Sequence, residues 1–180
     1  QYMDISFEGR IDITLDQYMA MIARKTGALI RCSLHLGGVM GTENLKTLEI
    51  LRKTGTSLGF VFQIRDDILG IWGEEKSTGK PVGIDILRKK NSLPIVHAMV
   101  KADKKGRERL REIYSLEYLG EQEVVTVLEI MEQAGTRDYA QELAHKYEEE
   151  ALKLFSDAML PDSYKFHFDV LAHFLAVREY

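Results

Sequence analysis

The chain has 180 residues, 45% hydrophobic and 29% charged, with a formal net charge of −4. This is enough length for one domain with a substantial core, and Lys and Arg are spread too evenly to form a nucleic-acid surface. No run of about 18 apolar residues occurs, which argues against a membrane span, and the single cysteine, Cys32, cannot form an internal disulfide and fits a reducing, cytoplasmic setting.

Three prolines, with Leu, Met, Glu and Lys throughout, favour helices over strands. The chain begins at Gln1 without a methionine or a signal-peptide pattern, so its natural start is expected upstream. Thr14 and Gln17 have the form of a capping box opening a first helix. Leu15, Tyr18, Ile22, Leu29, Cys32 and Leu36 mark one face of it, and Gly37, Gly38 and Gly41 are expected to end it. A second helix is expected over about 43–73, then a mobile loop over 74–89 with Gly79, Pro81 and Gly83 among charges. Shorter helices are expected at 91–102, 105–117, 121–134, 136–159 and 163–178, punctuated by Gly120, Gly135 and Pro161. With no repeat or linker to divide residues 1–180, the expectation is a single all-α bundle of about seven helices.

The second helix sets Asp66 and Asp67 in an otherwise apolar segment, where ionised carboxylates are costly unless compensated. Gln63 and Asp66 are three apart, as are Asp67 and Gly70, and Phe62 carries the apolar stripe up to the acidic spot. Magnesium takes one or two protein carboxylates and completes its shell with phosphates and water, so the pair suits a metal-diphosphate site. For an isolated aspartate pair, a solvated helix face would be the simpler explanation.

Three lysines change that balance in combination, although each alone reads as a surface residue. Lys25 falls between Ile22 and Leu29 with the Thr26 hydroxyl beside it; Lys80 lies in the glycine loop and Lys90 before the next helix, where both could meet a phosphate. The five histidines are scattered, and His167 and His173 lack helical zinc-pair spacing. Met19 and Met21 read as core or interface, and Glu148, Glu149 and Glu150 as a solvated face. No nucleophile elbow, CxxC pair or P-loop is present.

In order, QYMD at 1–4, KTGAL at 25–29, FQIRDD at 62–67, GKPVGID at 79–85 and KKNSLP at 89–94 resemble the trans-isoprenyl diphosphate synthases. The resemblance implies an all-α bundle of the isoprenoid synthase type around an apolar cavity, usually homodimeric, with its N-terminal helices missing from this chain. It also implies that Asp66 and Asp67 hold Mg2+ on an allylic diphosphate and that Lys25, Lys80 and Lys90 bind diphosphate oxygens. Thr26 and Gln63 would orient the reacting groups, Gln1 and Asp4 match the segment near the metal, and Asp85 matches a supporting aspartate. Phe62 would line the isopentenyl tail. The implied reaction ionises the allylic diphosphate, adds isopentenyl diphosphate and releases a proton.

Two departures stand out. The second aspartate-rich motif, usually DDxxD, reads DDILG here, with Gly70 last, and no DDxxD occurs anywhere in the 180 residues. Residues 1–180 are therefore expected to be the C-terminal part of one synthase domain, inactive alone. The alternatives are a non-catalytic helical subunit that partners a complete synthase and, less suited to paired lysine motifs, a terpene cyclase. Half a bundle should expose apolar surface, so a tighter dimer or helix swap is a further expectation.

Overall fold

A computed structural model describes residues 1–79 and 81–179. Among the described residues there are eleven helices and no strand: α1 Tyr2–Phe7, α2 Leu15–Arg24, α3 Thr26–Gly41, α4 Leu45–Trp72, α5 Glu75–Thr78, α6 Ile84–Leu87, α7 Leu93–Lys101, α8 Lys104–Ser115, α9 Glu121–Gln133, α10 Thr136–Ser156 and α11 Asp162–Val177. The all-α class is as expected. The capping box forms, with Gln17 N–H donating to Thr14 Oγ1 at 3.2 Å and Thr14 N–H to Gln17 Oε1 at 2.9 Å. None of the helices among the described residues is long and apolar enough to cross a membrane.

The count exceeds seven for local reasons. The first expected helix breaks at Lys25, whose backbone (φ −89°, ψ −91°) leaves the helical region and separates α2 from α3. That break resets the angular phase, so the expected continuous apolar face does not exist. Tyr18 and Ile22 are buried, whereas Leu29 is 72% exposed and Cys32 and Leu36 are exposed as well. Gly37 and Gly38 do not end α3, which runs on to Gly41; Gly38 lies where a Cβ would meet Leu51 Cδ1 at 2.6 Å. The segment 74–89, expected as a loop, carries the single-turn helices α5 and α6. Lys80 lies outside the described residues.

The chain divides into two compact units. The first comprises Gln1–Met21 and Asp66–Gln141, with the chain end. Ile71, Ile86, Ile95, Leu110, Ile113, Val127 and Met131 form its core. Gly83, at φ +74°, opens α6 in the left-handed region, and a Cβ there would meet Val124 Cγ1 at 2.6 Å, so position 83 is closed to side chains on both counts. His97 is a buried structural histidine. Its Nδ1 lies 3.0 Å from Thr136 Oγ1, its ring stacks on Tyr139, and burial, helped by Lys101, holds its pKa below the usual histidine value.

The second unit comprises Ile22–Arg65 and Glu142–Arg178, with a core that includes Leu51, Leu58, Ala151 and the stacked pair Phe155 and Phe168. Here α3 and α4 meet backbone to backbone: a Cβ at Gly59 would fall 2.6 Å from Gly27 Cα, and one at Gly55 would fall 2.6 Å from Arg31 Cα. Backbone cannot swing aside as a side chain can. Gly59→Ala is therefore expected to destabilise the protein by about 1–3 kcal/mol through overpacking, read from the shift of the urea midpoint; an unchanged midpoint would contradict the close approach.

Glu148 corrects the expectation of a solvated acidic face. It is buried, with one carboxylate oxygen 3.1 Å from His145 Nδ1 and the other 3.1 Å from His173 Nδ1, while Glu149 and Glu150 are exposed. The pairing to α11 spans 25 residues and has no local signature.

Candidate active site

Within the first unit, the last turns of α4 bring Asp66 and Asp67 to a cluster with Asp85 and Lys90. Adjacent helical residues point about 100° apart, and the two aspartates accordingly have different surroundings. The Asp67 side chain is 1% exposed and that of Asp66 is 49% exposed. Asp67 Oδ2 accepts from the Tyr18 hydroxyl and, at 2.8 Å, from the backbone N–H of Leu93 at the start of α7. Its Oδ1 accepts from Lys90 Nζ at 3.1 Å, and the same ammonium donates to Asp85 Oδ2 at 2.9 Å. Asp66 Oδ2 stands 4.0 Å from it.

The turn after α6 delivers the lysine. Lys89 takes φ +50°, and Lys90 N–H donates to the Asp85 carbonyl at 2.9 Å, folding the chain back so that the Lys90 side chain meets the Asp85 carboxylate. Asn91 Nδ2 then donates to the Phe7 carbonyl at 2.6 Å, fixing this segment to the end of α1. Gly70 lies directly beneath: a Cβ added there would fall 2.5 Å from Asp85 Cγ. The carboxylate at 85 thus occupies the space that a side chain at 70 would claim.

Electrostatics follow from burial and this crowding. Burial pushes the Asp85 carboxyl up from its usual range, opposed by Lys90. Burial pulls the Lys90 ammonium down, but Asp67, Asp85 and Asp66 together outweigh it and hold its pKa above the ordinary 10.5. Burial, then the charge and hydrogen bond of Asp67, raise Tyr18 well above the ordinary 10.0. Both groups bind their protons more tightly folded than unfolded. The stability they contribute is therefore complete below those ordinary values and is lost as pH rises through the raised folded ones. A thermal-unfolding series into the alkaline range should show the midpoint beginning to fall only near about pH 10; a midpoint unchanged well above that would contradict the linkage.

Within the second unit, Thr26 Oγ1 donates to Gln63 Oε1 at 2.5 Å, so two residues named from sequence meet across α3 and α4. Lys25 is exposed at the break before α3. The Phe62 ring lies 4.2 Å beneath the Arg178 guanidinium, and Arg65 donates to the carbonyls of Arg178 and Val177 at 2.7 and 3.1 Å, closing the end of α11. In the first unit, Gln1 is exposed and its carbonyl starts α1 by accepting from Ile5 N–H at 2.9 Å; Asp4 sits partly buried in the same turn. Periodicity marks Tyr18 only as a core aromatic, and its partner Asp67 lies 49 residues away.

Solved structures share this all-α fold. Polyprenyl synthetase from Streptomyces coelicolor A3(2) superposes with a TM-score of 0.91 at 31% identity, over 98% of this chain and 54% of that one. Geranylgeranyl pyrophosphate synthetase from Pyrococcus horikoshii Ot3 gives 0.90 at 34%, over 99% and 54%. The chain belongs to the polyprenyl synthetase family, whose sequence profile matches residues 1–131. A short chain isoprenyl diphosphate synthase of Methanothermobacter thermautotrophicus is 40% identical over 145 residues, which is 80% of this chain and 44% of that protein. A geranylgeranyl diphosphate synthase of Saccharolobus solfataricus is 35% identical over 85% of this chain and 46% of its own length. The chain thus spans about half the length of these relatives.

Proposed function

We propose that this protein acts as a magnesium-dependent prenyltransferase, condensing an allylic diphosphate with isopentenyl diphosphate to a longer trans-prenyl diphosphate and pyrophosphate. The observation that carries the proposal is the Lys90 ammonium held between Asp67 and Asp85, with the half-exposed Asp66 carboxylate beside it. Three carboxylates against one ammonium leave the cluster net negative when ionised, and all its donors to a metal are hard oxygens, which fits magnesium. Among the described residues no three His, Cys, Asp or Glu side chains form a closed metal cage. A site of that kind relies on substrate oxygens to complete the shell.

Asp66 is the residue we assign to magnesium, which when bound would neutralise charge on the departing diphosphate. Asp67 takes a different part from the one its motif position suggests: with Tyr18 and Leu93 on one oxygen and Lys90 on the other, it orients the lysine. Lys90, shared between two carboxylates, is held ready to pair with a diphosphate oxygen. Lys25 and Lys80 are assigned to diphosphate oxygens, and Thr26 with Gln63 to alignment of the reacting groups, on the strength of the family motifs. Gln1, Asp4 and Phe62 are assigned to substrate and its surroundings on the same basis. The chain offers positioning and charge rather than a nucleophile, and the proton lost at the end passes to the released pyrophosphate.

Catalysis on this proposal needs a second acidic motif, which the 180 residues do not contain. A polypeptide of the relatives' length carrying this sequence should convert labelled isopentenyl diphosphate, with an allylic primer and magnesium, into extractable prenyl diphosphate, and the 180 residues alone should not. No product from the longer polypeptide would refute the assignment. The same proposal includes a cytoplasmic homodimer, checked by sedimentation and by cell fractionation. A non-catalytic helical subunit is the weaker reading, because such a subunit would have no use for a lysine braced by two buried carboxylates.

A further inference from the structure

Tyr18 is 1% exposed on α2, and its hydroxyl donates to Asp67 Oδ2. Leu93 N–H, at 2.8 Å, shares that oxygen, while Oδ1 accepts from Lys90 Nζ at 3.1 Å. We infer that Tyr18 is a positioning residue: its phenol locks the rotation of the Asp67 carboxylate and thereby fixes where the Lys90 ammonium stands. What the lysine is fixed for rests on the function proposed above; that it is fixed by Tyr18 does not.

Three features argue for this role over simple filling of the core. First, a buried carboxylate accepts several hydrogen bonds and turns to find them. Without the phenol, Oδ2 keeps Leu93 N–H, and the carboxylate can rotate its other oxygen away from the lysine. Lys90 would then lean toward Asp85, its partner at 2.9 Å. Second, the donor is neutral. A cation at position 18 would compete with Lys90 for Asp67 and would cancel negative charge beside Asp66, whereas a phenol satisfies the acceptor and leaves the charge intact. Third, Tyr18 and Leu93 belong to different helices, so the same Asp67 oxygen is held by two separate elements. Partners of this kind, one step removed from a ligand, alter affinity or activity by about 10–100-fold when lost.

The test uses Tyr18→Phe, which keeps the ring and removes the donor, and reads Lys90 directly. In protein labelled with 15N at lysine side chains, the Lys90 ammonium resonance is assigned by its disappearance in Lys90→Met. In Tyr18→Phe that resonance should shift, or vanish through faster solvent exchange, with circular dichroism unchanged. Magnesium pyrophosphate affinity, measured by calorimetry, should fall about tenfold in Tyr18→Phe. In an Asp67→Asn background the same substitution should change it by less than about twofold, because the path from Tyr18 to Lys90 is already cut.

A Lys90 resonance unmoved in Tyr18→Phe would overturn the inference, as would equal losses in both backgrounds. If Tyr18→Phe does not fold, 3,5-difluorotyrosine placed at position 18 retains the hydroxyl and alters its donor strength; the Lys90 resonance should then move, and an unmoved one again overturns the inference. Should the unsubstituted protein bind no magnesium pyrophosphate, the proposed function fails, while the ligand-free Lys90 resonance still decides the role of Tyr18.

Discussion

Asp66→Asn is expected to lower prenyl transfer by a polypeptide of the relatives' length by at least about 10²–10³-fold, the range for deleting one preorganised electrostatic contact in a dry site. The substitution keeps volume and hydrogen-bonding capacity while removing the charge. Asp66 is 49% exposed and lies 4.0 Å from Lys90, so the fold should tolerate it, with a thermal midpoint close to that of the unaltered protein. Manganese binding, followed by the loss of free-ion electron paramagnetic resonance signal, should weaken in parallel. Unchanged turnover would refute the proposed assignment of Asp66 to magnesium. By contrast, Asp67→Asn should act chiefly through Lys90, because that side chain is buried among Tyr18, Leu93 and Lys90 and braces the ammonium.

Lys90→Met should be costly in a different way. Removing one partner of a buried ion pair strands the other, and losses of about 3–5 kcal/mol are typical; with Lys90 itself 33% exposed, the lower end is expected here. Asp67 retains two neutral donors, but Asp85 loses the ammonium that offsets its burial. Its folded pKa, already raised, should rise further. For an acid so shifted, stability is fully present below the unfolded value and is lost as pH rises through the folded one. The deficit of Lys90→Met relative to the unaltered protein should therefore be smallest near pH 4 and grow toward neutrality. Adding Asp85→Asn should recover much of it. Equal stability of Lys90→Met and the unaltered protein at neutral pH would contradict the bracing described for this cluster.

The parts of this fold that were legible in the sequence are those governed by local chemistry. The capping pair Thr14 and Gln17 formed as spaced, and α4 ends at Trp72 within a residue of expectation, because its apolar periodicity is long and unbroken. Gly120, Gly135 and Pro161 mark helix boundaries where expected. The break at Lys25 was not legible, since no proline or positive-φ glycine announces it. Glu148 read as solvated because its burial depends on His173, on another helix. In the cluster around Lys90, the proximity of carboxylates and lysine follows from the sequence motifs only as an expectation, and their pairing was not legible at all. Asp66 and Asp67 are identical letters side by side, and only the packing of α2 and α7 decides which one faces inward.

Gly70 carries a consequence for how acidic motifs are recognised. In a line of letters, DDILG looks like an eroded DDxxD, one carboxylate short. In space the missing side chain has no vacancy to leave, because the Asp85 carboxylate fills the volume above the glycine and reaches Lys90 from there. Glycine is the clearance that lets a carboxylate fifteen positions later settle against the helix. An aspartate restored at 70 would evict Asp85 rather than add to it. The negative charge at this spot is set by which backbone comes near, and a search that counts aspartates along one helix would misjudge it.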